Sequence, residues 1–279
     1  MTRYLCIALL VLLASPATTF AKSPPDVTQL TSAPTALDPD KAYLLFRSSR
    51  AKSGMFAIEN VLLRIPEQAE TEAFYAAKKL AFEKALPGLR KKQKDGTEPV
   101  IEQFPFEYDG PPNAFATKSS DFLVDGEVER TFLIEVPEGI YVLYGIAVGS
   151  RAIATCNCLG TVRFRAEKGV ITQLGTLYAD KVHKPSDIPH LEDNRGASMF
   201  QYSFILGQAL VPATAGTEVP ESLLALPRVL ARFEPVQPFL EPGAASINRL
   251  APIPGILEYD RGRVIALKKS APVETPVAN

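Results

Sequence analysis

Between Asp121 and Tyr178 the chain is cut into short apolar runs by glycine-bearing turns, and this stretch constrains the fold more than any other. Asp125-Gly126, Pro137-Glu138-Gly139 and Glu167-Lys168-Gly169 supply the turn chemistry. Phe132, Ile134 and Val136 alternate with Thr131, Leu133 and Glu135. Val162 and Phe164 alternate with Thr161, Arg163 and Arg165, the pattern of a strand with one wet face. Ile140–Val148 is apolar on both parities, so it is expected as a central strand covered on both sides. Val170–Tyr178 adds another strand. Short strands at this spacing predict a mainly β fold, an antiparallel β-sandwich or small barrel.

Upstream, Ala42–Arg47 and Met55–Ile65 read as strands separated by the polar stretch Ser48–Gly54, so the two are expected to pair as a hairpin. Glu67–Leu86 changes period and predicts one inserted helix. Ala73, Ala76, Ala77, Leu80 and Ala81 recur at three- and four-residue spacing, and Tyr75, Phe82 and Leu86 form a second stripe. Pro87-Gly88 is expected to stop it. Phe104–Pro112 is irregular because it carries three prolines.

Downstream, Met199–Leu206 reads as either a strand or a buried helix turn. Beyond Pro212 prolines recur too often for a regular central strand, because proline lacks the ladder donor. Yet Ile247, Leu250, Ile253, Ile256, Leu257 and Tyr259 are too apolar for a free linker. Residues 213–267 are therefore expected as a Pro-rich extended arm packed on a sandwich-like domain spanning 41–212. Glu221–Leu226 reads as a short helix, Gly255–Val264 as a small hairpin, and 268–279 as a disordered tail.

At the other end, Arg3 precedes the apolar run Tyr4–Leu13 and the small-residue stretch Ala14–Ala21. That is the layout of a signal peptide over residues 1–21, followed by a flexible Pro/Ser/Thr-rich leader over 22–40. The expectation is export to the periplasm or extracellular space, with no membrane span after signal cleavage. No Cys follows the apolar run next to small residues, so no acylated N-terminus is expected. A formal charge of −1 gives no basic excess and argues against nucleic acid as the partner.

Beyond the signal, every Cys and His lies between Cys156 and His190. Cys156, Cys158, His183 and His190 are thus one candidate metal set, with zinc or copper as the cofactor, and Cys-x-Cys can also cycle between dithiol and disulfide. The competing reading is structural, with the two cysteines buried or disulfide-linked. In a continuous strand Cys156 and Cys158 share parity with Val162 and Phe164 on the dry face, and Asn157 falls with Arg163 and Arg165 on the wet one. Gly160 is a place for a bulge that would break the parity. His183–His190 also reads as a plain solvated loop. No catalytic residue is nominated: no Gly-x-Ser-x-Gly elbow, His-Glu-x-x-His helix or phosphate loop occurs. Trp is absent. The basic stretch Lys78–Lys94 reads either as a solvated helix end or as a contact for anionic envelope components.

Three runs carry a resemblance: Gly139–Gly145, Cys156–Phe164 and Gly169–Gly175. Together they resemble a pattern in uncharacterised exported proteins of Gram-negative bacteria, and Gly-x-Tyr-x-Leu before a strand is similar to prealbumin-like and peptidase-accessory sandwich domains. The resemblance implies a fold and an envelope location, not an activity. The expectation is an exported, non-enzymatic domain with a binding or structural accessory role toward an envelope protein or other envelope component. The alternative is a metal-binding or thiol-redox protein using the cysteine–histidine segment.

Overall fold

The computed structural model describes residues 27–49, 58–93, 97–148, 153–178, 208–239, 246–261 and 263–265. In chain order the elements begin with β1 (Thr28–Leu30), β2 (Ala42–Ser49), β3 (Ile58–Ile65), α1 (Gln68–Lys92) and β4 (Ala114–Ala116). Then come β5 (Val124–Asp125), β6 (Glu129–Val136), β7 (Gly139–Val148), β8 (Ile153–Cys156), β9 (Thr161–Ala166) and β10 (Ile171–Tyr178). The last part carries β11 (Ala209–Pro212), β12 (Arg228–Leu230), β13 (Glu234–Val236), β14 (Ser246–Ile247), β15 (Glu258–Asp260) and β16 (Arg263–Ile265). The fold is mainly β, with two main sheets, mostly antiparallel, and no closed barrel.

The first sheet runs β1-β6-β2-β10-β11, with β5 on β6 and β12 on β10; the second runs β13-β9-β7-β3-β4, with β8 on β7 and β14 on β8. β7 is a central strand buried on both faces, as its sequence predicts: Tyr141 and Leu143 point into the main core, and Tyr144 and Ala147 into a cluster on the other side. The expected β2–β3 hairpin does not form. β2 pairs with β6 and β10, and β3 with β4 and β7. The turns at Pro137–Gly139 and Glu167–Gly169 likewise carry the chain from one sheet to the other. Each crossing puts one dry strand face opposite another. Leu44, Phe46, Phe132 and Ile134 of the first sheet thus meet Leu62, Leu143, Val162 and Phe164 of the second in one apolar core.

Two glycines mark where a strand changes partner. One edge of β7 pairs with β9 up to Val142 and with β8 from Gly145 onward. One edge of β10 pairs with β12 over Ile171–Gln173 and with β11 from Gly175 onward. Gly175 has φ 108, and a Cβ there would overlap the Val211 carbonyl. Gly145 is backed as closely by the Thr155 carbonyl. Only glycine lets the switched strand approach so near.

Residues 27–40 are not a free leader where the structure describes them. Val27 is buried in the core, β1 pairs with β6, and Leu30, Ala33 and Leu37 pack on Tyr43, Leu45 and Leu133. The reason is the outer face of the first sheet, which is too apolar to stay wet. Leu223, from the 3-10 turn Glu221–Leu223, covers the same face. The Pro-rich segment supplies edge strands as well: β12 lies on β10, and β13, containing Pro235, lies on β9. Leu250, Ile253, Leu257 and Val264 reach the main core, and β15 and β16 form the expected hairpin.

α1 stands apart: none of its residues is buried. It also runs through Pro87 to Lys92, beyond the expected stop. Proline removes the bond to the Glu83 carbonyl, but on so exposed a helix water can take its place. The half-buried face holds Phe74, Ala77, Ala81 and Phe82, while Tyr75 and Leu80, from the predicted stripes, are 63% and 70% exposed. The rotation follows from the irregular segment after the helix. Phe104 meets Phe82, and Phe106 and Tyr108 meet Phe74, at ring separations of 5.5, 5.8 and 5.4 Å. Eight helical residues rise about 12 Å and four extended ones about 13 Å, so every second residue of 104–108 lands on the helix ridge.

The root of this limb is polar. Arg64 of β3, with its side chain 5% exposed, donates from Nη2 to Glu70 Oε1 at 2.6 Å and to Asn113 Oδ1 at 2.9 Å. Glu70 Oε2 also accepts the Glu67 amide at 2.9 Å, completing a capping box. The Arg64 hydrogen bond, then the Glu67 amide, hold the Glu70 carboxyl below its ordinary pKa.

Candidate functional site

The cysteines sit in a tight turn, not in a continuous strand. β8 ends at Cys156, Asn157–Gly160 turns with the Gly160 amide on the Asn157 carbonyl at 3.1 Å, and β9 starts at Thr161. The parity expected across residues 156–165 is therefore broken. Arg163 and Arg165 are exposed as predicted, but Asn157 is 1% exposed. Cys156 and Cys158, 0% and 1% exposed, pack with Val61, Ala116, Tyr144 and Ala147, away from Val162 and Phe164 in the main core. The two cysteines are joined by a disulfide, with a Cα–Cα distance of 5.2 Å. While that bond exists neither sulfur is a thiolate ligand.

This turn is where the C-terminal arm is fastened. The Phe239 amide donates to Cys158 O at 2.9 Å, Asn248 to Cys156 O at 2.7 Å and Leu250 to Gly160 O at 2.9 Å, while the Leu159 amide donates to Asn248 O at 2.9 Å. The Tyr259 hydroxyl donates to Leu250 O at 2.7 Å, its ring lies under the Arg249 guanidinium at 4.6 Å, and burial raises its pKa. Inside the turn, Asn157 Nδ2 donates to Gln208 Oε1 at 2.7 Å, and Gln208 Nε2 to Asn60 Oδ1 at 2.8 Å. These buried neutral amides satisfy one another and link the turn, β3 and the residue before β11. They hold geometry and offer no acid or base.

His183 and His190, the other half of the candidate metal set, lie outside the described residues, as do Met199–Leu206. Among the described residues, no group of three or more His, Cys, Asp and Glu side chains is placed to hold a metal ion. No helix there is long and apolar enough to cross a membrane.

A different feature offers a surface for a ligand. Between β9 and β12, at the edge where the Pro-rich arm crosses from the first sheet to the second, lies a groove of about 970 Å³. Ile140 and Phe164 supply apolar lining, and Val229 and Leu230 line the β12 side at 44% and 41% exposure. Three arginines and two glutamates line it too. Arg163 is matched with Glu234, Nη2 to Oε2 at 2.8 Å. Arg165 and Arg232 have no acidic partner among the described residues, and Glu167 is the one remaining acid of the lining.

The sequence marks Arg163 and Arg165 as a wet face but gives no sign that Val229, Leu230 and Arg232 stand beside them, because the arm's path is set by tertiary packing. Arg64 and Glu70 are silent in the sequence for a similar reason: a single arginine at a strand end carries no periodic signal. Compared with family models, with curated proteins and with solved structures, the chain matches none.

Proposed function

We propose that this chain is an exported, non-enzymatic accessory domain of the cell envelope that holds a partner in the groove between β9 and β12. The groove itself carries the reading: it joins apolar lining to two arginines that have no acidic partner among the described residues, a combination suited to binding. The three-part N-terminus supports export, and the resemblance to exported sandwich proteins points the same way. The disulfide is assigned to fastening the arm, since both cysteines are shielded from an attacking thiol.

The test uses cells producing the full chain with a photo-reactive residue at Val229 or, as a control, at Val128, which is 72% exposed. A crosslinked adduct at Val229 and not at Val128 is expected. No adduct at Val229, or the same adduct at both positions, overturns the reading. Mass spectrometry of the exported protein should place its N-terminus near Lys22; Met1 retained on a soluble cytoplasmic form overturns export.

A further inference from the structure

Two strand edges open onto this groove, and their backbone chemistry narrows the ligand. On β12, the Pro227 carbonyl accepts from the Ile171 amide at 3.0 Å and the Ala231 amide donates to Gln173 O at 2.9 Å. In a parallel ladder alternate residues face the neighbour, so Val229 belongs with Pro227 and Ala231, while Arg228 and Leu230 turn their amides and carbonyls away from β10. On β9, Pro235 lies opposite Val162 and has no amide to give, so the bonded pairs with β13 are those of Arg163 and Thr161. Arg165, two residues beyond Arg163, turns its backbone groups the same way, past the end of β13. The β13 edge is blunted by Pro235; the β12 edge is not.

Resting on the groove as the binding site, we propose that its ligand is an extended acidic segment of a partner protein, which adds to the β12 edge and places carboxylates against Arg165 and Arg232. The backbone groups of Arg228 and Leu230 hold the segment through main-chain hydrogen bonds, which read no side chain. The two arginines select its charge. Val229, 44% exposed, lies on the face that receives its apolar side chains.

The probe is a peptide of about ten residues alternating Glu and Val, long enough to run the groove. It is compared with its Lys-for-Glu counterpart, with an N-methylated form lacking alternate amides, and with vesicles of phosphatidylglycerol, all against the full oxidised chain. The acidic peptide is expected to bind, the basic and N-methylated ones at least about tenfold more weakly. The double substitution Arg165→Gln and Arg232→Gln should lower affinity about tenfold, as should raised salt. Leu230→Pro should abolish binding with both arginines in place, its melting temperature serving as the control for folding. The proposal is overturned if the acidic peptide fails to bind. It is also overturned if N-methylation does not weaken binding, or if the vesicles bind through the same arginines and displace the peptide. A Val229 adduct formed in cells while no acidic peptide binds would overturn the ligand class and leave the groove reading standing; loss of both would overturn both.

Discussion

The sandwich and the helical limb of residues 66–112 are built from the same alphabet by different rules. In the sandwich, residues distant in sequence meet: Leu44 and Ile134 on one sheet share a core with Leu62 and Leu143 on the other. In the limb, the ring contacts join the helix to the segment that follows it. Aromatic residues from 104–108 lie along one helix ridge, no helical residue is buried, and a single buried arginine ties the unit to β3. A core buried from every side can dominate stability, whereas a one-sided aromatic seam sets only the shape of its own limb.

The sharpest way to break this contrast is at the core. Leu143→Ala removes a fully buried side chain and should lower global stability by about 3 kcal/mol, read by denaturant unfolding. Replacing both Cys156 and Cys158 by Ala should cost about 1.5 kcal/mol, low for a disulfide because the closed loop is short. It should also make the backbone around Phe239 and Asn248 more sensitive to protease, since the amides of both donate to that turn. In the limb, Phe74→Ala should cost about 1 kcal/mol locally, seen as faster hydrogen exchange in α1 with an unchanged global midpoint. An equal loss in the core would show the two regions to be one cooperative unit.

Acid sharpens the comparison further. Glu70 has its folded pKa lowered from 4.5, so its contribution is present above the ordinary carboxylate range and is lost as pH falls through the folded value. Exchange protection of the first turn of α1 should therefore drop in acid before the core responds. In Glu70→Gln that protection should be low at neutral pH and change little with acid. The smallest effect is expected at Leu80→Glu, within about 0.5 kcal/mol, because that side chain already faces water.

The fold is legible in the sequence where the signal is local and periodic. The alternation around Val162 and Phe164, the two-sided apolar run of β7 and the hairpin of β15 and β16 are all legible because neighbours in sequence determine them. It is not legible where a third body decides. Pairing of β2 and β3 depends on which sheet each joins, which no turn between them states. The parity across the cysteines fails because a turn closes at Asn157–Gly160, and the apolar stripe of α1 is rotated by a partner segment whose aromatics lie after the helix. Half of the candidate metal set stays outside the described residues. The groove was invisible because its two walls are joined only by the course of the arm.

The parallel pairing of β2 with β10 has a consequence in time. Tyr43 is laid beside Ile171, and the other flank of β2 is filled by β6, so the middle of the first sheet cannot close until most of the chain is available. Loop-closure entropy must be met before those contacts reward it, which makes folding slow, on the order of milliseconds to seconds. A nascent N-terminal half therefore has no complete sheet to collapse into. Slow closure of this kind leaves the native sheet unformed until its last strands arrive.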